Sequence, residues 1–177
     1  MPSAEKTIKS AVIFYNESKP EAVRMMRVVR SLLKQKGLRV WVEDKLAQRA
    51  AATGAVLEKL RLTDIAVALG GDGTMLQAAR RLAPLSIPLL GINSGGLGFL
   101  SGTDAGDFKR VCDSVLRGEF ILEERRMIRV EAFRGGRRLF GPNIALNDCV
   151  IRCGDQARAI LLRARSGERF EIGRAHV

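Results

Sequence analysis

The stretch DIAVALGGDGTMLQAARRLAP, Asp64 to Pro84, sets the fold. Ile65 to Leu69 is an unbroken apolar run, as expected of a strand buried on both faces of a parallel sheet. Gly70, Gly71, Asp72, Gly73 and Thr74 follow at once. The residues after them, TMLQAARRLAP, carry apolar side chains at helical spacing and stop at Pro84. Strand, glycine turn and helix in that order open a unit in which the next strand lies parallel to the first.

Such a turn is a place where anions bind. Glycine lets the backbone approach closely, consecutive amides can point at one ligand, and the helix N-terminus adds partial positive charge. Gly70, Gly71, Gly73 and the amide of Thr74 are the candidate contacts. A carboxylate beside phosphate is costly unless it has a task. Three readings of Asp72 fit its place: a helix cap, a ligand to a divalent cation, or a base that takes a proton from a hydroxyl. Neither G-x-x-x-x-G-K-[ST] nor G-x-G-x-x-G is present, so the P-loop and the common dinucleotide fingerprint are both excluded.

The same alternation extends in both directions. IKSAVIFYN (Ile8 to Asn16) predicts a strand. SKPEAVRMMRVVRSLLKQKG (Ser18 to Gly37) predicts a helix, with Pro20 in its first turn, Glu21 favouring that end and Gly37 stopping it. LRVWVE predicts a second strand, and KLAQRAAATGAVLEKL (Lys45 to Leu60) a helix weakened by Gly54. After Pro84, IPLLGIN predicts a fourth strand and DAGDFKRVCDSVLRGE a helix closed by Gly118. Four strand–helix alternations predict an α/β fold, with a doubly wound, Rossmann-like parallel-sheet domain over residues 1–122. Beyond it, MIRVEAF, RRLFGPNIAL, DCVIRC and ARAILLRAR read as strands, with turn signals at Gly135-Gly136, Gly141-Pro142 and Gly154-Asp155. These predict the start of an antiparallel, β-rich domain over residues 123–170. The tail EIGRAHV, residues 171–177, continues no strand pattern. It equals the in-frame translation of a common sequencing-adapter sequence and is expected to be non-native.

Composition narrows the function classes. The chain has 177 residues, 46% of them hydrophobic, and a formal charge of +11 from 30 basic and 19 acidic residues. The basic residues are dispersed and lack an aromatic–glycine RNA-binding signature, so nucleic acid is not an expected partner. A basic surface serves an anionic small molecule equally well. No apolar run reaches the roughly 18 residues of a membrane span, and the N-terminus lacks a secretory pattern, so a cytoplasmic location without membrane contact is expected. Cys112, Cys149 and Cys153 are a poor disulfide framework. They also lack the partners for a zinc site, so no protein-held metal is expected. The alternation of Cys149, Ile151 and Cys153 predicts small buried side chains on a strand.

A second glycine-rich stretch, LLGINSGGLGFLSG, also follows a strand and precedes a helix. Two such loops at neighbouring strand ends can face one crevice, and Leu97 and Phe99 offer a surface for something flat.

With both loops in view, the sequence resembles the NAD kinase family. The likeness rests on GGDGT at Gly70 to Thr74, LGINSGGLGFL at Leu90 to Leu100, ERRMIRVE at Glu124 to Glu131 and ALNDCVI at Ala145 to Ile151. It covers roughly Ala11 to Arg165. The resemblance implies ATP- and Mg2+-dependent (or other divalent cation-dependent) phosphorylation of the 2′-hydroxyl of the adenosine ribose of NAD, giving NADP. It implies Asp72 as the base and Gly71, Gly73 and Thr74 at the phosphates, with Gly70 in the same NAD- and ATP-binding loop. Asn93, Phe99, Asn147, Asp148 and Arg158 are then the further NAD- and ATP-binding candidates. Members often carry Glu where Asp148 stands. Members are also longer, with a completed β domain. The 177 residues are therefore expected to be a truncated piece, inactive by itself, of a full-length homo-oligomer. GGDGT alone also occurs in diacylglycerol and sphingosine kinases, so a lipid or sugar kinase is the nearest enzyme alternative, although the G-T-x-N-D stretch of the lipid kinases is missing. A non-catalytic NAD-binding module is the alternative of a different class.

Overall fold

A computed structural model describes residues 7–43, 54–93, 103–151, 160–166 and 169–175. Strand β1 is Ser10–Tyr15, helix α1 Pro20–Gln35, strand β2 Arg39–Glu43 and helix α2 Gly54–Arg61. Strand β3 is Ile65–Leu69, helix α3 Asp72–Leu82, strand β4 Leu89–Asn93, strand β5 Thr103–Asp104 and helix α4 Phe108–Leu116. All five strands are parallel, in the order β2-β1-β3-β4-β5. The predicted helix from Lys45 is described only from Gly54.

Period-two alternation in the central strands divides the core between two faces. Ala11, Ile13, Val67, Leu69 and Ile92 pack with Val29 and Leu33 of α1 and with Phe108 and Cys112 of α4. Val12, Phe14, Ala66 and Ala68 face the other way, onto Leu60 of α2 and Met75, Ala78 and Leu82 of α3, with Trp41 of β2 packed at the margin. Helices on both faces of a parallel sheet make the doubly wound architecture expected from the alternation. Ile13, Leu69, Leu82 and Ile92 are among the largest fully buried side chains. Each contributes about 1.5–3 kcal/mol by leaving water.

Local signals place the helix ends. Pro20 opens α1 with Glu21 in its first turn. The helix closes on Gly37 (φ +84°), where the Gly37 N–H donates to Lys34 O at 2.9 Å and the Leu38 N–H to Leu33 O at 3.1 Å. That pair of bonds is a Schellman closure, and Leu33 and Leu38 share one apolar cluster beneath it.

The second part begins with strand β6 (Met127–Arg134) and strand β7 (Arg137–Leu146), an antiparallel hairpin. Gly135 and Gly136 form its turn with φ +54° and +78°, the positive pair a tight hairpin needs. Strand β8 (Ile160–Ser166) pairs antiparallel with strand β9 (Arg169–Ala175).

Three expectations need correction. Gly141-Pro142 is not a turn between strands: β7 runs through it. The pairing shifts register between Val130 and Ala132, and a Cβ at Gly141 (φ +85°) would meet the Val130 carbonyl oxygen. Glycine and the proline that follows thus make a bulge, which needs neither a side chain at 141 nor a ladder N–H at 142. Secondly, Asp148 to Ile151 form no strand, and Cys149 and Ile151 are exposed rather than buried. The positive φ of Asn147 (+75°) ends β7, so the alternation beyond it has no partner to pair with. Cys153 lies outside the described residues. Thirdly, Glu171 to Ala175 do continue a strand, in register with Ile160 to Ala164. Its pattern is too short and too polar at one end to be read without the partner. His176 lies outside the described residues.

Candidate active site

The strand order reverses direction between β1 and β3. The chain leaves β1 toward β2 on one side, and β3 leads to β4 and β5 on the other. Between the carboxyl ends of two such strands neither connection covers the sheet edge, and a crevice opens there. In this molecule the β3 end is the glycine loop.

Gly70 sits at φ +150°, and a Cβ there would lie 2.5 Å from Thr74 Oγ1. Its N–H donates to Ile92 O at 3.0 Å, which ties the loop to β4. Gly71 is the N-cap of α3, extended at φ −85° and ψ −171°. Its carbonyl accepts from the Thr74 N–H at 3.0 Å and the Met75 N–H at 3.3 Å. The cap is therefore glycine, and Asp72 stands inside the first turn, half-buried, where a negative charge meets the positive helix end. The helix-cap reading of Asp72 is not what the backbone shows.

A cleft of about 300 Å³ occupies the crevice. Gly71, Gly73, Thr74 and Gln77 line it from the α3 side, and Tyr15, Asn16, Ser18 and Lys19 from the end of β1. The second set was not read from the sequence. A polar run directly after the apolar strand, YNESKP, was the available signal, because ligands gather at carboxyl ends of parallel strands. That turn is built by Asn16, whose Oδ1 accepts from the Ser18 N–H at 3.0 Å and the Ser18 hydroxyl at 2.8 Å. The Lys19 N–H donates to Asn16 O at 3.0 Å, and Lys19 is the N-cap of α1. Two helix N-termini thus reach the crevice from opposite faces of the sheet.

The other candidates fall as follows. Asn93 ends β4, one residue past Ile92, the partner of Leu69, and so lies at the same sheet edge as Gly70. Asn147 and Asp148 are exposed immediately after β7, which packs against α3. The Asp148 N–H donates to Leu146 O at 3.2 Å around the positive φ of Asn147, a γ-turn. A non-glycine residue held there costs about 1–3 kcal/mol, and such strain collects at functional positions. Phe99 and Arg158 lie outside the described residues, as does the second glycine stretch from Ser94 to Gly102.

Among the described residues no group of three or more His, Cys, Asp or Glu side chains could hold a metal ion. Among the same residues no helix is long and apolar enough to cross a membrane.

Comparison with known proteins bears on the fold and the family. The fold is similar to the crystal structure of yeast NADH kinase complexed with NADH, with a TM-score of 0.55 and 21% identity over 65% of this chain and 38% of that one. The NAD kinase of Aromatoleum aromaticum is 36% identical over 90% of this chain and 54% of its own length. That of Symbiobacterium thermophilum is 38% identical over 86% and 55%. That of Azoarcus sp. is 41% identical over 72% and 45%. The chain therefore spans about half the length of the curated relatives it matches. The family model for the ATP-NAD kinase N-terminal domain matches residues 11–120, a span holding β1, the glycine loop and the cleft between them, so the chain belongs to the ATP-NAD kinase family.

Proposed function

We propose that this chain supplies the catalytic loop of an NAD kinase, transferring the terminal phosphoryl group of ATP to the 2′-hydroxyl of the adenosine ribose of NAD. The observation that carries the reading is the switch-point cleft with the glycine loop on its wall, where a first-turn carboxylate, Asp72, stands in sequence between the lining residues Gly71 and Gly73. In the proposed step the ribose oxygen attacks the γ-phosphorus, its proton passes to the Asp72 carboxylate, and the bond to the β-phosphate oxygen breaks to release ADP. Such a transfer asks the protein for alignment and charge placement more than for covalent chemistry. The Thr74 N–H is taken by the Gly71 carbonyl, so it is the N–H groups ahead of it at the start of α3 that suit phosphate oxygens.

The donors lining the cleft include the amide oxygen of Asn16 and the hydroxyls of Ser18 and Thr74. This hard-oxygen set fits a magnesium ion that arrives with ATP and keeps phosphate and water as its main ligands. When bound, that ion neutralises phosphate charge. Asn147 and Asp148 offer an amide and a carboxylate for ribose hydroxyls and the nicotinamide amide. Phe99 and Arg158 are carried as NAD contacts on the family resemblance alone. The cysteines described as free, Cys112 and Cys149, suit the reducing cytoplasm in which we place the protein.

The test uses this chain joined to the C-terminal half of the Aromatoleum aromaticum relative, with ATP, magnesium and NAD. Asp72→Asn is expected to lower turnover by roughly two to four orders of magnitude, the usual contribution of a positioned base, while NAD affinity stays within about twofold. Near-normal turnover of that variant removes Asp72 from the role. The 177 residues without the added half are expected to form NADP far more slowly than the joined chain.

A further inference from the structure

The glycine loop presents backbone N–H groups and a carboxylate, but no cation. A polyphosphate carries several negative charges, and Asp72 adds another. Among the described residues that line the cleft, Lys19 carries the one positive charge. Lys19 caps α1 with its backbone, is exposed, and forms no ion pair with any described residue. The Asn16–Ser18 turn fixes where its Cα stands relative to the cleft. Helix α1 packs on one face of the sheet and α3 on the other, so their N-termini meet a ligand in the crevice from two sides.

We propose that Lys19 is the cationic half of the phosphate site, closing on the polyphosphate chain of the donor from the α1 side while the glycine loop holds it from the α3 side. This inference rests on reading the cleft as a phosphate site. It adds a binding residue on a separate element, at the N-cap of a helix that carries no part of the glycine motif. A compact ammonium on a flexible four-carbon stem suits this place, since it can follow a phosphate as the donor is consumed.

The experiment is calorimetric titration of the 177-residue chain with inorganic triphosphate and with ATP at low and moderate salt. Four chains are compared: wild type, Lys19→Gln, Lys19→Arg and Lys34→Gln. Lys34 lies in the last turn of α1, at the far end of the helix. Its replacement controls for the general attraction of a chain of formal charge +11. Lys19→Gln is expected to weaken triphosphate binding about tenfold, as loss of a charge-assisted hydrogen bond does. Lys19→Arg is expected to stay within about threefold of wild type and Lys34→Gln to be unchanged. The salt dependence of binding should be shallower for Lys19→Gln. Lys19 is exposed, so its variants are expected to melt with the wild type.

Wild-type affinity in Lys19→Gln overturns the role of Lys19 and leaves the cleft reading standing. Equal weakening in Lys19→Gln and Lys34→Gln overturns it as well, by showing attraction to net charge alone. No triphosphate binding by the wild-type chain at millimolar concentration overturns the phosphate site itself.

Discussion

Replacing each glycine of the loop by alanine should give three different results, although all three belong to one motif. Gly70 has φ +150°, where an L side chain is strained, and the added Cβ would stand 2.5 Å from Thr74 Oγ1. The backbone conformation costs about 1–3 kcal/mol. Moving Thr74 off its rotamer to relieve the contact adds roughly 0.5–1.5 kcal/mol. Gly70→Ala should therefore destabilise by about 2–4 kcal/mol, a fall in Tm on the order of 10 °C for a chain of this size. Gly71 has an ordinary φ of −85° and open space where a Cβ would go, so its replacement should change stability by less than about 0.5 kcal/mol. Gly73 lies inside α3 with equally open space. Alanine there should stabilise by roughly 0.5 kcal/mol through helix propensity. Urea unfolding followed by circular dichroism measures all three. Because Gly71 and Gly73 line the cleft, both variants should still lose triphosphate affinity. A Gly70→Ala chain as stable as wild type, or a Gly73→Ala chain less stable than Gly70→Ala, refutes the loop geometry.

Two further predictions concern charge. Arg81 of α3 pairs with Glu43 at the end of β2, where the Glu43 side chain is only 3% exposed and that of Arg81 25%. Arg81→Met leaves a buried carboxylate without its cation and should cost about 3 kcal/mol; adding Glu43→Gln should recover more than half of that. Equal stability of Arg81→Met and wild type in urea would remove the pair from the packing. At the other face, the Asp113 carboxyl is held below its ordinary range, first by the hydrogen bond from Lys36 and then by the charges of Lys36, Arg117 and Lys109. Lys36 Nζ stands 2.5 Å from Asp113 Oδ1. A depressed carboxylate stabilises the fold above its unfolded pKa of roughly 4 and loses that effect as pH falls through the lower folded value. Lys36→Met should raise the Asp113 midpoint in a carbon-13 titration and flatten the loss of stability in acid. An unmoved midpoint would show that the pair does not persist in solution.

Much of the α/β part was legible because its signals are local. Ile65 to Leu69 had to be a strand buried on both faces, and Pro20 and Gly37 bracketed α1 as their backbone chemistry requires. The glycine loop was legible as the turn from β3 into α3 for the same reason. What the sequence could not show depends on which strands become neighbours. The four residues from the end of β1 enter the cleft only because β1 lies beside β3, a fact of sheet order and not of spacing. The Glu43–Arg81 pair joins residues that no periodicity relates. The β part misled where a strand pattern outran its partners. Asp148 to Ile151 alternate like a strand, yet Asn147 turns the chain away. Gly141-Pro142 reads as a break, yet the strand absorbs it as a bulge.

Trp41 is the chain's single tryptophan, and it packs at the edge of the cluster that α3 shares with the sheet. The Arg39 guanidinium lies 6.0 Å from the centre of its ring. The molecule thus carries its own optical probe on the face occupied by α3. A nucleotide that shifts α3 on binding changes the polarity around the indole and with it the colour and yield of its emission. A nucleotide gripped by a helix that stays in place leaves the spectrum alone. Rigid capture and helix movement can therefore be told apart in one cuvette, without a label.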